Sequence, residues 1–192
     1  MLKDLLLKIN WVDLLILFTL LRVFYAGLTQ GFYNEIFKLI GVTVAIYISL
    51  HYFTPLSDLL KKQFAVKTVP IEFLDFVCFL FLVIIGYYIV TLVRMVFDRF
   101  VKVEAVPALS KWGGLIISIG RGFLLTSLIV FCLTISGFSY FKKSVATSFT
   151  GREIFRIAPT TYQWIWNHIT SRFMPLEKIN ETIPEIEASL NK

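Results

Sequence analysis

Long apolar runs without internal polar alternation set the pattern of this chain. Four are long enough to cross a bilayer, at about residues 11–28, 35–53, 73–97 and 113–137. Each predicts a helix, because a span takes about 20 residues and lipid offers no partner to an exposed backbone N–H or C=O. A barrel reading fails on period: runs such as FLFLVIIGYYIV lack the alternation that a spanning strand of about ten residues shows. The fourth run begins as early as Trp112 or as late as Gly122.

The pattern changes after residue 140. Residues 141–174 mix Ile154, Ile157, Trp164, Ile165, Trp166 and Phe173 with Arg152, Arg156 and Arg172 near helical spacing. They predict two short amphipathic helices interrupted at Pro159. Tryptophan with arginine favours the membrane surface, and the rival reading is a cap packed onto the third loop. Residues 175–192 are polar, broken by Pro184, and read as a frayed tail. The expected fold is therefore an all-α membrane protein, with a four-helix transmembrane domain over 1–140 and amphipathic helices behind it. Asp4 and Asp13 interrupt the signal-like start, so the first run is expected to be an uncleaved helix.

Composition agrees: of 192 residues 57% are hydrophobic and 17% charged, outside the range of an ordinary soluble domain. The net charge of +6 sits between the apolar runs, where it suits anionic headgroups better than nucleic acid. Lys3, Lys8, Lys61, Lys62, Lys67, Lys142, Lys143, Arg152 and Arg156 fall on one side of four spans, and Arg94, Arg99, Lys102 and Lys111 on the other. The balance predicts both termini in the cytoplasm.

Small residues predict how the helices pack. Gly41, Ala45 and Ser49 form one stripe in the second run, and Gly114, Ser118, Gly122 and Thr126 form another in the fourth. The second and fourth helices are expected to be contact helices. Gly27 and Gly31 suit a tight helix-to-helix connection. Cys78 and Cys132 lie inside apolar runs and read as core residues. His51 and His168, each among aromatic residues, read as interfacial polar tips, and no metal or cofactor is expected.

The stretch LRVFYAGLTQGFYNEIFKLIGVTVA resembles the first hairpin of the colicin V production protein (CvpA) family. The likeness rests on Asn10, Trp11 and Asp13, on Leu21 and Arg22, on Gly27 and Gly31, and on Glu35, Leu39 and Gly41. The fourth run is similar too, with Gly113 and Gly114 followed by Arg121 and Gly122, and FKKSVATSF matches the segment that follows it in the family. The chain departs from the family in carrying Val23, Phe24 and Tyr25 after Leu-Arg, where another basic residue or glycine is common. The resemblance implies a bacterial inner-membrane protein linked to toxin production or export, or to envelope maintenance, and no established reaction.

Arg121 poses the sharpest chemical question. Counted from Trp112 it lies about 14 Å into the fourth helix, near mid-bilayer, where an arginine costs roughly 2.5–3.5 kcal/mol on insertion scales. Three readings are open: Arg121 at the headgroups with a span that starts at Gly122, a buried pair with Glu35, Asp13 or Asp75, or an arginine that lines an aqueous path. Arg22 and Glu35 form an alternative pair across the first turn. Neither a Gly-x-Ser-x-Gly elbow nor a phosphate loop of the Gly-x-x-x-x-Gly-Lys type is present, so the chain is expected not to be an enzyme. The favoured function is an accessory membrane protein that works through helix packing and contacts with lipid, a second copy or another membrane protein. The alternative is a small oligomeric transporter or channel with Arg121 and Glu35 on its path. The residues singled out are Arg22, Gly27, Gly31, Glu35, Gly41, Gly114, Arg121 and Gly122.

Overall fold

Gly31 has φ 77° and ψ 162°, a backbone region almost confined to glycine, and the chain reverses there. The computed structural model describes residues 10–64, 69–100, 107–174 and 177–190. Lys3, Lys8, Lys67 and Lys102, which entered the orientation count, lie outside them. The described elements are helical: α1 (Trp11–Phe64), α2 (Ile71–Phe100), α3 (Pro107–Ile135), α4 (Ser139–Thr147) and α5 (Gly151–Ile165) come first. A π-helical turn (Trp166–Thr170), a last turn (Ser171–Phe173) and α6 (Thr182–Leu190) follow.

Three segments, Trp11–Gln63, Ile71–Phe100 and Ser110–Ile135, are long and apolar enough to cross a membrane. The expected count was four. The difference lies at the first turn, where no loop intervenes: helix runs up to Gly31 and resumes beyond it, so α1 is one element with two arms, 11–30 and 32–64. The packing fixes their directions. Gly114 of α3 lies against Gly27 and Gly31, and Gly122 against Leu20, Val23 and Phe24, so α3 runs antiparallel to the first arm. Arg121 meets Glu35 and Phe131 meets Phe53, so α3 runs parallel to the second arm. The arms therefore form an antiparallel hairpin.

The second arm and α3 touch as expected, at Glu35 and Arg121 and at Phe53 and Phe131, but the two small-residue stripes meet other partners. Gly114, Ser118 and Gly122 receive the first arm, while Gly41 and Ala45 receive Tyr87 and Gly86 of α2. Small residues let backbones approach wherever the bundle is tightest, and sequence spacing alone does not say which partner comes close. At the end away from Gly31, Phe131 of α3 sits 5.2 Å from Phe79, 6.3 Å from Phe53 and 5.3 Å from Phe155, centroid to centroid. One ring thus joins the second arm, α2, α3 and α5.

The C-terminal part corrects the sequence reading twice. Pro159 does not interrupt α5 but lies inside it. A proline there removes the N–H that would bond the carbonyl four residues earlier, that of Phe155. Ser127 of α3 fills the gap: its hydroxyl donates to the Phe155 oxygen at 3.0 Å and accepts from the Ala158 N–H at 2.7 Å. Ser127→Ala orphans both buried groups, and we expect it to destabilise the detergent-solubilised protein by about 2 kcal/mol in thermal unfolding, whereas Ser127→Thr keeps most of that stability. The polar tail is also not frayed over α6, whose Ile183 and Leu190 are buried in the common core. Isolated apolar positions in a polar segment gave no sign of this, because nothing in their spacing names α4 and α5, against which the helix packs.

The α4–α5 segment packs at the end of the bundle away from Gly31. Asp13 holds it there. Its carboxylate accepts from Ser148 Oγ at 2.6 Å, Thr150 Oγ1 at 2.8 Å, Thr150 N at 3.0 Å and Phe149 N at 3.3 Å. The inner face of α5 buries Ile154, Phe155 and Ala158, while Phe149, Trp164 and Phe173 remain outside.

Candidate functional site

The bend at Gly31 sets Glu35 one turn into the second arm, facing α3. Its side chain is fully buried; Arg121 Nε donates to Oε2 at 2.8 Å and Lys38 Nζ to Oε1 at 3.1 Å. Arg121 itself is 7% exposed. The glycines around it differ: Gly122 packs against the first arm, whereas a Cβ on Gly120 would meet nothing within 4 Å. Arg121 therefore turns toward the second arm with room on one side. Of the three readings, the geometry is that of the buried pair. Asp13 is engaged at α5, and Asp75 accepts from Ser57 Oγ, so neither reaches the arginine.

Lys38 is the member that sequence reasoning missed. Its position three residues after Glu35 on one helix face was the available signal. Nearer the bend, Arg94 of α2 donates to Asn34 Oδ1 and lies 3.3 Å from Asp98, whose other oxygen accepts from Tyr33 Oη at 2.6 Å. This polar latch ties the end of α2 to the start of the second arm.

Arg22 does not pair with Glu35. It is exposed and lines an open cleft of about 480 Å³ with Gln30, Lys38 and Arg121. Phe18, Leu125 and Ile129 continue the same cleft away from the bend. Of the singled-out glycines, Gly27, Gly114 and Gly122 serve the first arm's contact with α3, Gly31 the bend, and Gly41 the contact with α2. Three cations and one carboxylate meet here, so the arrangement offers positive charge to an anion and no nucleophile paired with a base.

A second polar cluster lies at the opposite end. His51, read as an interfacial tip, is buried between Tyr47 and Trp166, each with its ring centroid 5.5 Å away. Its Nδ1 lies 2.9 Å from Tyr162 Oη and its Nε2 3.1 Å from Glu177 Oε2. Burial pushes the Tyr162 phenol up to about 12, so it stays protonated at neutral pH. Tyr162 Oη also accepts the Asn180 N–H at 3.1 Å. These bonds fasten the segment before α6 to the second arm. His168, by contrast, is exposed and stacks on Trp164 at 4.9 Å. Cys78 is buried and Cys132 half-buried, both as free thiols. Among the described residues no three His, Cys, Asp or Glu side chains group as metal ligands.

Residues 12–159 match the family model described as Colicin V production protein. Among curated proteins and among solved structures, none matches the chain.

Proposed function

Since the chain belongs to the colicin V production protein family, we propose that this membrane protein is a non-enzymatic accessory factor of the bacterial inner membrane, needed for production or export of a colicin V-type toxin or for envelope maintenance. The observation that carries this reading is the extent of the match, which takes in the hairpin, α2, α3 and the first part of α5. The bond between Glu35 and Arg121 within one copy supports action through packing and contacts, over a path lined by those two residues in an oligomer. Four crossings follow if each arm of α1 spans separately. In support, the start of the first arm and His51 of the second both touch the C-terminal segment, which an even number of crossings requires.

With both termini in the cytoplasm, a reporter that works only in the cytoplasm is active when fused at Leu60 or Lys192 and silent at Val103. Activity at Val103 overturns the topology. For the function, a producing strain that lacks this chain is expected to release less colicin V-type toxin, read as the killing zone on a sensitive lawn, and a plasmid copy restores it. Undiminished release with an intact envelope refutes the accessory role.

A further inference from the structure

The open cleft beside the Glu35–Arg121 pair is built for a charged amphiphile, and we propose that it binds the phosphodiester headgroup of an anionic phospholipid from the leaflet at the Gly31 end. The first observation is charge. Arg22, Lys38 and Arg121 converge on the cleft, and the single carboxylate among them, Glu35, is taken by Arg121 and Lys38. Arg22 is exposed and has no ion pair among the described residues. It lies nine residues before Gly31, about 14 Å along the first arm and so below the headgroup level at that end. An arginine at that depth takes an anion, water or a route to the headgroups.

The second observation is polarity along the cleft. Gln30 lies at the bend, Lys38, Arg22 and Arg121 come next, and Phe18, Leu125 and Ile129 lie beyond them, deeper along the helices. Cations toward the bend and apolar side chains farther from it is the order of a headgroup drawn below the surface of its leaflet and the acyl chains beneath it. A soluble anion has no use for the apolar half. A protein carboxylate would supply one charge and leave that half unfilled. A phosphodiester offers acceptor oxygens to the Arg22 guanidinium, and the Lys38 ammonium stands beside it as a second donor. The site holds whether or not the chain serves toxin release.

The test is native mass spectrometry of the full chain in detergent, titrated with phosphatidylglycerol. The wild type is expected to retain one such lipid more tightly than phosphatidylcholine, and excess inorganic phosphate leaves it bound. Arg22→Gln weakens retention about tenfold, the loss of one charge-assisted contact, and Arg22→Lys keeps most of it. Arg99→Gln, a basic residue outside the cleft, changes nothing. Ile129→Trp, which fills the apolar half without altering a charge, lowers retention as well and stands in if Arg22→Gln does not stay monodisperse. Equal retention in a folded Arg22→Gln or Ile129→Trp protein overturns the proposal. Displacement by inorganic phosphate overturns it too, as it marks a soluble-anion site, and so does failure of any added lipid to bind.

Discussion

Arg121→Leu is expected to lower the melting midpoint of the detergent-solubilised protein by about 10 °C, equivalent to about 3 kcal/mol for a chain of this size. The reason is the fate of Glu35. With the guanidinium gone, a fully buried carboxylate keeps Lys38 as its remaining partner, at 3.1 Å and on the same helix, and loses its link to α3. A removed partner costs more than a removed pair, because the surviving charge stays desolvated. The double variant Arg121→Leu/Glu35→Gln is therefore expected to be more stable than the two single losses predict, with a coupling of about 1–3 kcal/mol. Additive losses in the cycle would show that the two side chains stand near each other without mattering to each other. If Arg121→Leu also abolishes function while the protein still accumulates, the charge has a role beyond holding helices together.

Gly114→Leu should be worse, with little monodisperse protein recovered from membranes. A Cβ at Gly114 would lie 2.6 Å from the Gly27 carbonyl oxygen and 3.0 Å from the Gly31 carbonyl carbon, and both are backbone that cannot swing aside. Even Gly114→Ala has to part the first arm from α3 at the hairpin bend, at about 1–3 kcal/mol. The control is Gly120→Leu in the same helix, where the added side chain meets open space and helix propensity favours the change. Size-exclusion chromatography of the two variants side by side reads the difference. Equal recovery of both would mean that the close approach of the arms to α3 is not what holds the hairpin.

These contrasts mark what was legible beforehand. The stripe around Gly114 was visible because four-residue spacing of small residues is a property of one helix. Its partner was not legible, because nothing in a single helix names the surface it meets. Glu35 was a named candidate for Arg121 because it begins the second run, one and a half turns before Gly41, on a helix expected to touch the fourth. Lys38 was not singled out, because a lone lysine three residues from a carboxylate is common on helices. His51 gave no hint of its burial, since Tyr162 and Glu177 are more than a hundred residues away in sequence. Pro159 was read by the local rule that proline ends helices, and that rule yielded to one serine hydroxyl on another helix.

By itself, the sequence determined the solvent, the helical class, the glycine bend and the residues that had to answer for a charge in hydrocarbon. Those follow from local quantities: run length, side-chain polarity and the backbone freedom of one residue. The tertiary structure alone decided which helix each stripe met, which carboxylate took Arg121, that Arg22 was left to face a cleft, and that the C-terminal helix docks. Each of these depends on groups distant in sequence coming within a few ångströms, where a hydrogen bond or a close contact discriminates between partners that composition and spacing leave equivalent.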